Sequence, residues 1–141
     1  MGRTARHTRL LKNAEAAFMA AIEVYNKPSF AYREETFSIL ILNAWELLLK
    51  AKLLIDNGDR LSALFVRERR TLASGQRSAK EYLKRNRAGN PMTVSVREAV
   101  ARLNKPNLQV SQAISANLDA LIEVRDNAIH YSNGDVAPRV S

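Results

Sequence analysis

The run Phe37-Ser38-Ile39-Leu40-Ile41-Leu42-Asn43-Ala44-Trp45-Glu46-Leu47-Leu48-Leu49-Lys50-Ala51-Lys52-Leu53-Leu54-Ile55 decides the fold. Its apolar residues, among them Phe37, Leu40, Ile41, Ala44, Leu47, Leu48, Ala51, Leu54 and Ile55, fall around most of a helix circumference. A helix that is apolar on so many sides belongs at the centre of a bundle. Asn43, Glu46, Lys50 and Lys52 interrupt it, too many polar groups for a membrane span. The helix extends from about Arg33 to Asn57, where Asn57-Gly58 offers a left-handed stop.

Upstream, Leu10, Leu11, Ala14, Ala17, Phe18, Ala21, Ile22 and Tyr25 recur at helical spacing and predict a first helix from about Arg6 to Tyr25. Asn26-Lys27-Pro28 ends it, because the residue before proline is pushed out of the helical region. Downstream, Ser95-Val96-Arg97-Glu98 has capping-box spacing and starts a short helix through Leu103. A last helix runs from about Ser111 to Tyr131, with Ile114, Leu118, Leu121, Ile122, Ala128 and Ile129 on its apolar side and Asn133-Gly134 after it. Leu61 to Thr71 fits either a short helix or one arm of a hairpin. The expectation is an all-α fold, an up-and-down helical bundle of four to five helices, with a basic irregular or hairpin-like insertion around 62–91. The expectation is a single domain over 1–141 with a frayed tail, either whole or the N-terminal part of a longer protein.

Charge is uneven along the chain. Twenty-two basic residues against 14 acidic ones give a formal charge of +8. The excess gathers at Arg67, Arg69, Arg70, Arg77, Lys80, Lys84, Arg85 and Arg87, opposed between them only by Glu68 and Glu81. Such a patch attracts phosphate and releases counterions on binding. A solvated surface loop explains the same run. No cysteine is present, which excludes disulfides and thiolate metal sites and makes a reducing, cytoplasmic setting the default. No secretory signal is visible. Neither a P-loop nor a dinucleotide pattern is present, nor a His/Asp/Glu cluster for a metal, so no cofactor and no metal are expected.

The segment Arg125-Asp126-Asn127-Ala128-Ile129-His130-Tyr131 carries the chemistry. Apart from His7, assigned to an N-terminal tail, His130 is the only histidine. Imidazole exchanges protons near neutral pH, and arginine offers a permanently charged fork for phosphate oxygens. Five residues along a helix is a rotation of about 140° and a rise of about 7.5 Å, so the pair does not converge within one straight helix. Two copies facing across a two-fold axis would bring the set together. Asp126 and Asn127 lie one turn before His130 and are placed to orient it. The plainer reading puts a histidine at a helix C-terminus and a snorkelling arginine on the surface. Glu46 and Lys50 likewise are either an ordinary intrahelical pair or polar support for a site inside the bundle.

The combination of Ala44-x-Glu46-x-x-x-Lys50-Ala51 in an early helix with Arg125-Asp126-x-x-x-His130 in the last resembles the HEPN superfamily of helical domains, over about Lys12 to Asn133. The Pro28-Ser29-Phe30-Ala31-Tyr32-Arg33-Glu34 entry and the Trp45 to Ala51 run are similar to an uncharacterised bacterial branch, a domain of unknown function. The resemblance implies a dimeric, metal-independent endoribonuclease of toxin–antitoxin, antiphage defence or RNA-processing type. Arg125 and His130 fall on its Arg-x-x-x-x-His motif. Expected partners are RNA and a second copy through the C-terminal helix, with an antitoxin or additional domain as a further candidate, but no membrane. The alternative is a non-catalytic RNA- or nucleotide-binding or dimerisation module.

Overall fold

A computed structural model describes residues 4–104 and 111–130. Four helices are seen, α1 (Arg6–Tyr25), α2 (Arg33–Asp56), α3 (Val96–Leu103) and α4 (Gln112–His130), with a 3-10 turn at Leu61–Leu64 and two strands, β1 (Arg67–Thr71) and β2 (Arg77–Leu83). The helical spans agree with the periodicity to within a residue. The fold class does not. The all-α expectation is corrected to a mixed α/β fold, because the basic insertion is an ordered two-stranded antiparallel sheet. Tyr131, Asn133-Gly134 and the tail lie outside the described residues.

α2 is the central element and packs against α1, α3, α4 and the 3-10 turn. Its contact with α1 is built on small residues one heptad apart. Ala14 and Ala21 of α1, and Ala44 and Ala51 of α2, are almost wholly buried. Alanines let two helix backbones approach closely, and their neighbours lock the pairing. Phe18 meets Trp45 edge-on with centroids 6.1 Å apart, and Tyr25 meets Phe37 at 5.1 Å, so α1 and α2 run antiparallel. Leu10 also packs against the main core, whereas Leu11, Ile22 and Tyr25 stay exposed.

The main core joins Leu42, Leu49, Leu53 and Leu54 of α2 to Leu64, Val94, Val96, Ala99, Leu103, Leu118 and Ile122. α3 enters it through the expected capping box. The Ser95 hydroxyl accepts from the Glu98 amide at 3.2 Å, and the Glu98 carboxylate accepts from the Ser95 amide at 3.4 Å.

α1 begins without a cap of its own, since Ala5 offers no side-chain oxygen. Asp59, from the turn after α2, supplies one. Its Oδ2 accepts from the Arg6 amide and its Oδ1 from the His7 amide, both at 2.9 Å, and Oδ1 also lies 3.0 Å from His7 Nδ1. The assignment of His7 to a tail is therefore corrected: it sits in the first turn of α1 and is pinned there. Gly58 at φ +67° and Asp59 at φ +62° turn the chain back toward α1, and the two backbone amides donating to the carboxylate hold its pKa below the ordinary 3.8.

Candidate functional site

The basic residues predicted for phosphate binding are brought together on the β1–β2 hairpin and the loop that follows it. Every position of β1 is exposed, and in β2 only Ser78 is buried. Arg67, Arg69, Arg70, Arg77, Lys80, Lys84, Arg85 and Arg87 are all exposed. Arginine-rich strands lack the apolar alternation that marks a strand in sequence. What holds these two is local. The register is Arg67 with Leu83, Glu68 with Tyr82 and Arg69 with Glu81, then a bulge before Thr71 pairs with Arg77. The Ser78 hydroxyl bridges that irregularity, accepting from the Arg70 amide at 3.0 Å and donating to the Lys80 carbonyl at 2.7 Å. Tyr82 supplies the one aromatic ring of the hairpin, with the Arg70 guanidinium 4.0 Å and the Lys80 ammonium 5.4 Å from its centroid. Cations thus already lie over the ring.

The hairpin root is clamped to the helices. Val66 donates to Met92, Lys84 to Val66, Met92 to Lys84 and Val94 to Leu64, at 2.8–2.9 Å. Arg102 of α3 holds the same segment, its Nη1 donating to the Ala63 carbonyl at 2.7 Å and its Nη2 to the Phe65 carbonyl at 2.8 Å. Sequence reasoning missed Arg102, because nothing in the sequence marks a partner 37 to 39 residues away. A groove of about 600 Å³ lies here, between Leu53 and Asn57 of α2, Arg67 and Glu81 of the hairpin, and Ala101 and Arg102 of α3.

At the opposite end of α2 stands the motif of the last helix. Tyr32, in the left-handed conformation just before α2, donates from its hydroxyl to the Ala128 carbonyl at 2.9 Å. That contact joins the start of α2 to the end of α4, so the two run antiparallel. The helical rise then sets Glu35 level with Arg125, Ser38 with Ile122 and Leu42 with Leu118. Arg125 therefore occupies the seam that Leu118 and Ile122 bury. Its side chain is 29% exposed, its Nη2 lies 3.4 Å from Asp126 Oδ1, and its buried Nε has no hydrogen-bond partner among the described residues. Arg33, another residue missed from sequence, donates to the Lys27 carbonyl, and its buried Nε likewise has no partner among the described residues. Asn127 is exposed. His130 is the last residue of α4, and its side chain lies outside what the structure describes.

Glu46 and Lys50 are not brought to Arg125. They lie eleven and fifteen residues past Glu35, about 17 and 23 Å along the α2 axis. Lys50 bonds instead to Glu46 at 3.4 Å and to the Thr93 hydroxyl at 3.0 Å, tying α2 to the strand-like return from the hairpin. The outer face near Arg125 carries Asp119, Glu123 and Asp126 around a shallow groove of about 740 Å³, with Arg97 and Asn127; Arg97 is paired to Asp119 at 3.2 Å.

Among the described residues, no three His, Asp or Glu side chains converge as metal ligands, and no helix is long and apolar enough to cross a membrane. No curated protein and no solved structure matches the chain. The model of one family, "Domain of unknown function (DUF3644)", matches residues 9–141, nearly the whole chain, and the protein belongs to that family.

Proposed function

We propose that the domain is a metal-independent endoribonuclease of HEPN type that holds RNA on its basic hairpin and cuts it at the end of α4. One observation carries the proposal: Arg125, the arginine of the Arg-x-x-x-x-His segment, is half-buried in the α2–α4 seam. Burying a guanidinium is costly unless it is fully paired, and its Nε has no partner among the described residues. A charge kept there serves the end of α4 on which His130 also lies.

In this mechanism two copies associate through α4 and bring both Arg125–His130 sets around one RNA strand. His130 takes the proton of a ribose 2′-hydroxyl as its oxygen attacks the neighbouring phosphorus. The bond from phosphorus to the 5′-oxygen breaks, and that oxygen receives a proton from the second histidine. Arg125 binds the phosphate oxygens and stabilises their growing charge. The products are a 2′,3′-cyclic phosphate and a 5′-hydroxyl. Toxin or antiphage roles follow from the HEPN resemblance, and the cysteine-free composition fits a cytoplasmic location.

A second reading, RNA binding without cleavage, is favoured by the carboxylates Asp119, Glu123 and Asp126 beside Arg125, which repel phosphate. Incubating the protein with labelled RNA in EDTA, beside His130→Ala, separates the two. Cleavage by the wild type, reduced at least about a hundredfold in the variant while RNA affinity is kept, supports the enzyme. Equal behaviour of the two proteins, or dependence on added metal, contradicts it.

A further inference from the structure

The hairpin and the end of α4 are both fixed to α2, at opposite ends of it. Leu53 lines the groove at the hairpin root together with Arg67 and Arg102, whereas Arg125 stands level with Glu35. Eighteen residues of helix separate these levels, about 27 Å at the helical rise. The spacing is rigid. Leu42, Leu49 and Leu53 between the two levels are buried, and the root is held by the Val66–Met92 and Val94–Leu64 amide bonds and the Arg102 fork.

Charge is divided between the two places. The hairpin and its following loop carry eight cations against Glu68 and Glu81, while the α4 end sets Asp119, Glu123 and Asp126 against Arg97 and Arg125. An RNA that reaches only the α4 end meets a surface with more carboxylates than cations and gains little from electrostatic attraction. It is held there only if the same molecule is also anchored on the hairpin.

We infer that the substrate is an RNA with at least about eight stacked nucleotides on one side of the scissile phosphate: about 3.4 Å per nucleotide, the per-strand spacing of B-form DNA, spans the 27 Å in about eight, and the more compressed A-form stack of RNA needs more. α2 acts as the ruler. This inference rests on the cleavage reading above and deepens it by naming the substrate class.

The test is a series of RNAs sharing one cut sequence, with the arm on each side lengthened in turn from about two to about fourteen nucleotides. For the wild type, kcat/KM is expected to rise about tenfold or more as one arm passes about eight nucleotides, then to level off, since the second contact becomes intramolecular. In the triple variant Arg69→Gln, Arg77→Gln, Arg87→Gln that step disappears. All three positions are exposed, and an unchanged circular dichroism melt confirms that the variant is folded. Wild-type kcat/KM independent of arm length, or a step that survives in the variant, overturns the ruler while leaving the nuclease standing. If the wild type cuts no member of the series, the cleavage reading falls and the ruler with it.

Discussion

Asp59 shows how much one side chain can organise. It caps α1 from 52 to 53 residues away, with both carboxylate oxygens on backbone amides. The His7 and Arg6 amides, in that order, hold its pKa below the ordinary 3.8, and the His7 side chain adds to them. A folded carboxyl more acidic than the unfolded one contributes stability that is fully present above the ordinary value and is lost as pH falls through the lower folded value. Asp59→Asn is therefore expected to lower the melting temperature at pH 7, with the gap to wild type closing as pH falls through the ordinary aspartate range and below it. Thermal melts of both proteins across that range check it; a gap that stays constant or widens in acid contradicts it. This clamp was illegible in the sequence. Asn57-Gly58 announced a chain reversal, but only the packing of α1 on α2 carries Asp59 to Arg6 and His7.

Among the elements, the hairpin is the one the sequence left open between irregular and hairpin-like, and it is where the proposed phosphate binding rests. The helices were legible because burial imposes a 3.6-residue period on Leu118 and Ile122, and because Ser95 and Glu98 stand at cap spacing. Arg67 to Thr71 has no buried face, so burial left no period to read. Its order comes from the strand ladder, the Ser78 bridge, the Arg70–Tyr82 stack and the clamp at its root. Arg102 is the main side chain of that clamp. Arg102→Met keeps the aliphatic packing and removes two charge-assisted bonds, so it is expected to cost about 2–3 kcal/mol. Hydrogen exchange should quicken at Val66, Lys84 and Met92 more than in α2. Uniform destabilisation, with no preferential loss at the root, contradicts the role given to Arg102.

Across the molecule, the candidate residues fall into two groups that one long helix keeps apart. Their identities were legible: eight cations crowd one segment, and an arginine and a histidine share the last helix. Their separation was not, because it depends on which end of α2 each group joins. The Tyr32–Ala128 bond and the Arg102 fork decide that, and neither has a local signature. Glu46 and Lys50 illustrate the same limit. Their four-residue spacing reads correctly as an ion pair, but it does not show that the pair faces Thr93 rather than Arg125.

The most direct test of an Arg125–His130 nuclease is the chemistry of the ends it leaves. RNA digested in EDTA should carry 2′,3′-cyclic phosphate and 5′-hydroxyl termini, with none released by Arg125→Gln. Termini bearing 5′-phosphate, or the same fragments from the Arg125 variant, would contradict the account.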